Sequence, residues 1–257
     1  MSKGVLVDIT KCIGCGSCAV ACKMWNNLGY KQNVPNQGTQ ASLGSENWTV
    51  VSYKKVEING ETVWRFVKQQ CLHCEEPACA SVCMSKAIVK TDNGPVLYDP
   101  ELCVGCRYCM IACPFEIPKY EWDKILPSVA KCQMCAGKIE KGEQVACSSV
   151  CPTGALTFGE RDELIKLAER TINSDSKYVK HIYGQKEAGG TSWLYISDVP
   201  FEKLGMKTNI TTTPIPHFTH EYLKHTPTIF IGGGVLFTAL SIYTKRRNEI
   251  EKQKKAN

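Results

Sequence analysis

Sixteen cysteines fall into four clumps of four, and this spacing limits the fold more than any other feature of the 257-residue chain. The clumps are Cys12, Cys15, Cys18, Cys22; Cys71, Cys74, Cys79, Cys83; Cys103, Cys106, Cys109, Cys113; and Cys132, Cys135, Cys147, Cys151, with none left over. Disulfides suit the pattern poorly, because cysteines three apart in short loops are badly placed for bridging and secreted disulfide frameworks are usually much shorter chains. Zinc is the stronger competitor, since paired C-x-x-C units make tetrahedral sites. It does not account for a third cysteine after another two residues and a fourth after three more. That spacing lets one loop wrap a cube, three thiolates capping three irons while the fourth reaches a neighbouring cluster. Four complete sets therefore point to four 4Fe-4S clusters, with all sixteen cysteines as metal ligands.

Charge agrees with this reading. The formal charge is +6 when thiols are counted as neutral. An oxidised cluster with its four thiolates carries about −2, so four clusters bring the protein to about −2 overall. The excess Lys and Arg then neutralise clusters or meet partners, and a nucleic-acid role is disfavoured.

The order of the clumps suggests one ferredoxin unit nested inside another. Between Cys83 and Cys103, the runs Ala87-Ile-Val-Lys and Val96-Leu-Tyr-Asp flank a turn at Asp92-Asn-Gly-Pro, which predicts a hairpin tying the second clump to the third. Val5-Leu-Val-Asp-Ile before the first clump and Ala155-Leu-Thr-Phe after the fourth are strand-like runs able to pair. With fourth cysteines exchanged, the outer clusters are held by Cys12, Cys15, Cys18 and Cys151, and by Cys132, Cys135, Cys147 and Cys22. The inner clusters are held by Cys71, Cys74, Cys79 and Cys113, and by Cys103, Cys106, Cys109 and Cys83. Pairing of consecutive clumps is the rival, weakened by a polar loop around Asn33 to Asn47. Pro114 and Pro152 follow fourth cysteines, where a fixed φ suits a chain turning away from a cluster; Cys83 is followed by Met84 instead.

The expected fold is α+β: two nested bacterial-ferredoxin-like dicluster units of short strands and helices, followed by a transmembrane helix. The outer unit takes 1–35 and 114–170, the inserted inner unit 36–113, a linker and partner-contact region 171–225, the membrane helix 226–244 and a basic tail 245–257. Within this scheme Arg161 to Thr171 reads as an amphipathic helix with Leu164, Ile165, Leu167 and Ala168 on one side. Lys186 to Leu204 reads as a Gly-containing loop and strand.

Pro227 to Thr244 carries no charge over 18 residues, which meets the lower length for a membrane span, roughly 17 to 25 residues. Three adjacent glycines weaken a soluble helix but let another helix approach closely in a bilayer. Lys245, Arg246, Arg247, Lys252, Lys254 and Lys255 follow the segment, whereas only Lys224 lies close before it. Positive-inside bias puts the C-terminus in the cytoplasm and the cluster domain outside. Met1 to Thr10 lacks the features of a signal peptide, so an inner-membrane, single-pass subunit exported folded with its partner is expected. A cytoplasmic cluster domain is the alternative.

The motifs Cys12-Ile-Gly-Cys-Gly-Ser-Cys, Gln70-Cys-Leu-His-Cys-Glu-Glu-Pro-Ala-Cys, Cys103-Val-Gly-Cys-Arg-Tyr-Cys-Met-Ile-Ala-Cys-Pro and Cys147-Ser-Ser-Val-Cys-Pro-Thr-Gly-Ala resemble those of four-cluster ferredoxin-like beta subunits of membrane-bound oxidoreductases. Gly189-Gly-Thr-Ser-Trp-Leu-Tyr followed by one C-terminal span looks most like the respiratory formate dehydrogenase iron-sulfur subunit and the related hydrogenase subunit. The resemblance implies a non-catalytic relay. A catalytic subunit, either a molybdenum or tungsten formate dehydrogenase or a nickel-iron hydrogenase, delivers electrons to the first cluster. An integral membrane subunit, often carrying haem b, hands them to quinone. Other molybdopterin oxidoreductases remain open as partners, and a zinc-binding interaction module is the reading from a different class.

Several residues beside the ligands have both a functional and a bland reading. His73 has no ligand role where four cysteines are available to every cluster, and is expected just behind them. His217, His220 and His225 read as interfacial polar contacts. Lys131, Arg107 and Lys11 adjoin ligands, where positive charge raises a cluster's potential; charge facing solvent is the equal alternative.

Overall fold

The computed structural model describes residues 2–30, 35–58, 60–122, 124 and 127–256. The chain forms two compact units, Met1–Ile215 and Pro216–Asn257. In chain order the strands are β1 (Lys3–Asp8), β2 (Gln37–Gly38), β3 (Thr49–Ile58), β4 (Glu61–Gln70), β5 (Ile88–Lys90), β6 (Val96–Tyr98), β7 (Lys119–Tyr120), β8 (Val129–Ala130), β9 (Leu156–Glu160) and β10 (Trp193–Ile196). The α-helices are α1 (Ser17–Trp25), α2 (Ala78–Ser81), α3 (Tyr108–Ala112), α4 (Ala136–Ile139), α5 (Ala146–Ser149), α6 (Arg161–Ser174), α7 (Ile215–Leu223) and α8 (Thr226–Ala256).

The first unit is organised by a three-stranded sheet of order β10-β1-β9. β1 is antiparallel to β9, with Leu6 opposite Thr157, and parallel to β10, with Leu6 opposite Leu194. Alternate residues of a strand face opposite sides, and the two sides do different work here. Leu6, Leu194 and Ile196 pack with Leu164, Ala168 and Ile172 of α6. Each buried aliphatic side chain of this size contributes about 1.5–3 kcal/mol. On the other face Val5, Val7, Trp193 and Tyr195 join Leu72, Met134, Cys135, Val145 and Cys147. The sheet is thus a wall between an ordinary helix-packed core and the cysteine loops.

Three sequence expectations change. The segment 171–225 is not simply a linker, because β10 lies in the central sheet and Tyr178, Ile182, Tyr183 and Phe201 are buried. The loop reading between the first two clumps missed a long antiparallel hairpin of β3 and β4, running in register from Thr49 opposite Gln70 to Ile58 opposite Glu61. Although 36–113 is the expected inner unit, Val56 and Val67 of this hairpin lie in the same core as Val5, Val7 and Ile9. Arg65 also ties the hairpin to the segment after β10, its Nε donating to both carboxylate oxygens of Asp198 at 2.9 and 3.1 Å. Of the polar loop around Asn33 to Asn47, residues 33 and 34 lie outside the described residues.

The inner clumps rest on less. β5 and β6 form the expected hairpin, and β7 pairs with β8. The core there comprises Cys79, Ile88, Val96, Cys109, Tyr120 and Val129.

Among the described residues, one helical segment, Ile215–Lys254, is long and apolar enough to cross a membrane. α8 does not stop at Thr244 where the basic tail was expected to begin. Lys, Arg, Glu and Gln are good helix formers, and Arg247 pairs with Glu251 one turn on at 3.1 Å. A Cβ on Gly232, Gly233 or Gly234 would meet no atom within 4 Å.

Candidate metal centres

Each clump bends its first C-x-x-C loop in the same way. The residue just before the second cysteine is left-handed in all four: Gly14 (φ 71°), His73 (φ 52°), Gly105 (φ 72°) and Met134 (φ 52°). Such a kink curls successive backbone N–H groups into a concave, anion-favouring nest. At Gly14 the bend also brings the Phe66 ring within 2.5 Å of where a Cβ would lie, so that position is closed to larger residues. His73 and Met134 take the same shape without glycine, at a cost of order 1 kcal/mol each.

These loops gather cysteines from distant clumps. One cavity is lined by Cys12, Cys15, Cys18 and Cys151, hereafter the Cys12 site. A second is lined by Cys22, Cys132, Cys135 and Cys147, the Cys22 site. A third is lined by Cys83, Cys103, Cys106 and Cys109, the Cys83 site. Cys71, Cys74, Cys79 and Cys113 form the remaining group, the Cys71 site, in which Cys71, Cys113 and Cys79 all act on Cys74. In every case the fourth cysteine of one clump sits with three of another.

Burial dominates the electrostatics. It pushes Cys22 and Cys79 up to about 12, and Cys18 and Cys109 up to about 11. Cys74 and Cys132 are raised well above the ordinary thiol range for the same reason. Cys15 departs from this, its exposed thiol held low by hydrogen bonding with Ser17. Before metal arrives, most of these groups are neutral thiols, so filling a site displaces protons. Backbone N–H groups already point at sulfur: Met134 donates to Cys132 Sγ at 3.2 Å.

The donor set fits iron-sulfur clusters. Four thiols per site match cubane ligation, and among the described residues two buried nitrogens lack a protein partner, Trp193 Nε1 and His73 Nε2. Trp193 lines the Cys22 site. His73 Nδ1 accepts from Val96 N at 2.8 Å, which leaves Nε2 carrying the proton. Buried donors of this kind cost about 1–3 kcal/mol unless satisfied, and cluster sulfur is an acceptor suited to both.

The neighbouring charges separate. Lys131 is buried, its Nζ donating to the carbonyls of Val96 at 2.5 Å and Cys132 at 3.0 Å, so the solvent-facing reading fails for it. Lys11 is half exposed and pairs with Asp8 at 3.4 Å. Arg107 is exposed and stacks over Tyr120 and Trp122, 5.0 and 4.6 Å from the ring centroids. His217, His220 and His225 are exposed. Sequence reasoning missed Lys68, which lines both the Cys12 and Cys22 sites. A lysine in a strand ordinarily marks the solvent face, and nothing in the sequence marks this one as buried.

Comparison with known proteins accords with the donor chemistry. Two models described as 4Fe-4S dicluster domain match, over residues 62–161 and 11–87. A protein of Nitratidesulfovibrio vulgaris is 39% identical over 261 residues, covering 99% of this chain and 70% of its own length. The iron-sulfur subunit of the nitrate-inducible formate dehydrogenase of Escherichia coli K12 is 37% identical over 197 residues, 74% of this chain and 66% of that subunit. The hydrogenase-2 operon protein HybA of Escherichia coli O157:H7 is 32% identical over 242 residues, 80% of this chain and 73% of its own. The chain is an iron-sulfur electron-transfer subunit with two ferredoxin-like dicluster domains, and belongs to the family that includes these formate dehydrogenase and hydrogenase-2 proteins.

Proposed function

We propose that the chain holds four 4Fe-4S clusters in the Cys12, Cys22, Cys71 and Cys83 sites and relays electrons along them between a catalytic subunit and a membrane quinone-reactive or haem b subunit. The ligands are the sixteen cysteines grouped as above, in two nested pairs that exchange their fourth cysteines. The β3–β4 hairpin counts with the outer pair.

One observation carries the relay reading: the sites form a series in which the thiols of each act on those of the next. Cys109 of the Cys83 site acts on Cys79, Cys71 of the next acts on Cys132, and Cys147 of the third acts on Cys18 of the last. The series runs outward at both ends. Cys106 and Cys15 are the exposed cysteines, with Val104, Tyr108 and Ile111 exposed near one and Ile13, Val20 and Met24 near the other. Apolar rims around the terminal sites suit docking of a donor and an acceptor. The chain itself supplies no bond-making group. It sets potentials through burial, N–H to sulfur bonds and nearby charge, while oxidation of the substrate belongs to the partner.

A molybdenum or tungsten formate dehydrogenase is the first choice of partner, and the 32% identity to a hydrogenase-2 operon protein supports a nickel-iron hydrogenase as the second. The membrane is the bacterial inner membrane, crossed once by the apolar part of Ile215–Lys254, with the cluster unit outside and the basic end inside. The test is stoichiometric. Anaerobically purified protein holds about 16 iron and about 16 acid-labile sulfide per chain, and a reproducible content near half of that overturns the four-cluster reading. Co-purification of the native complex identifies the partner.

A further inference from the structure

Lys68 is the least expected charge in the molecule. It is 2% exposed, on the last turn-free stretch of β4 before Cys71. Its Nζ donates to Thr49 Oγ1 at 2.6 Å and Gln70 Oε1 at 2.8 Å, and lies 4.4 Å from the Trp193 ring centroid. The strand is fixed behind it, since Tyr195 Oη donates to the Lys68 carbonyl at 3.0 Å and accepts from Gln70 Nε2 at 2.6 Å. Two oxygen acceptors under an indole face make a cage for a cation. Both acceptors are neutral, however, and a buried charge without a countercharge is strongly unfavourable.

The countercharge lies in the cavities. Lys68 lines the Cys12 site and the Cys22 site at once. Its charge acts on Cys12 and Cys18 in the first, and on Cys22, Cys132 and Cys135 in the second. The inner pair draws on other cations: Lys90 acts on Cys74, and Lys131 on Cys79.

We propose that Lys68 is the shared countercharge of the two outer sites, raising both reduction potentials together and keeping electron exchange between them close to level. The inference rests on the four-cluster reading. Each cluster takes one electron and no bond changes, so a fixed positive charge favours the reduced form at both sites. Placed between two anionic groups, it also screens their mutual repulsion, easing reduction of the second after the first. A unit charge at such short range in a protein of effective dielectric about 20 shifts each equilibrium by about tenfold or more, and tenfold is 59 mV for a one-electron couple.

The experiment is a potentiometric titration followed by electron paramagnetic resonance, on the full-length chain purified anaerobically. Lys68→Met removes the charge, Lys68→Gln removes it while keeping polar contact with Thr49 and Gln70, and Lys68→Arg keeps it. The expected result is a drop of about tenfold in the reduction equilibrium of both outer clusters in the Met and Gln variants. The inner clusters shift by about threefold or less, and the Arg variant stays near the unaltered chain. If the neutral variants fail to load the outer sites while Lys68→Arg loads them, the countercharge role is supported by assembly instead. Loss of the outer clusters in all three variants, or four intact signals with unshifted outer potentials, overturns the inference. Fewer than four signals in the unaltered chain overturns the four-cluster reading as well, so the two failures are told apart.

Discussion

The outer and inner cysteine sites share one loop design but stand on very different foundations. The outer pair is set against a central sheet, a hairpin of two ten-residue strands and a core that includes Val5, Val7, Ile9, Val67, Tyr183, Trp193 and Tyr195. The inner pair has helices of four and five residues, two-stranded sheets and a small core in which Cys79 and Cys109 join only Ile88, Val96, Tyr120 and Val129. Helices this short are not stable alone, and a two-stranded sheet is marginal. The lesson is that one motif can be a cofactor added to a fold in one place and a large part of the fold in another.

The largest expected effect follows from stripping the metal. Oxidation and chelation should raise amide exchange across Ala78–Ala112 at least about hundredfold more than across Trp193–Ile196, because the outer sheet keeps its apolar core while the inner loops lose their anchor. Mass-spectrometric hydrogen exchange reads this directly. Equal loss of protection in both regions would show that the outer core also depends on metal.

A single ligand change sharpens the comparison. Cys151→Ser should alter the resonance of the cluster held with Cys12, Cys15 and Cys18, and leave both inner signals as they were, because Cys151 lines only the Cys12 site among the cavities described. A changed signal from the cluster that includes Cys103 would favour pairing of consecutive clumps.

The smallest effect on the clusters should come from deleting everything after Thr226. The chain should become soluble and stay brown with all potentials within error, since every cysteine lies in the first unit. It should also lose its hold on the membrane subunit. In intact cells, a protease confined outside the inner membrane should reach the exposed turn at residues 140–144 but not the basic end. Cleavage of that end alone would place the cluster unit in the cytoplasm.

Much of this was legible from spacing. The pairings of β1 with β9 and of β5 with β6 could be read because short apolar runs bracket the clumps they tie together. The parallel partnership of β1 with β10 could not, because Trp193-Leu-Tyr-Ile advertises a strand without naming its neighbour. The β3–β4 hairpin is harder to read, because Thr49 to Ser52 are buried in succession rather than alternately, and its one local signal is the Asn-Gly pair at 59–60 in the sequence. Lys68 and Lys131 were opaque for a physical reason. Sequence gives charge but not burial, and only the assembled walls of the sites show that these two lysines are inside.

The exchanged fourth cysteines have a consequence for the order in which a ribosome can finish the molecule. The Cys71 and Cys83 sites have every lining cysteine once Cys113 has left the exit tunnel. The Cys12 site, although its loop is made first, waits for Cys151, and β1 waits longer still for its parallel neighbour at Trp193–Ile196. The N-terminal loop therefore stays an open set of three thiols until Cys151 and β9 follow. The inner sites have their full set of thiols while the chain is still growing, before either outer site has its own.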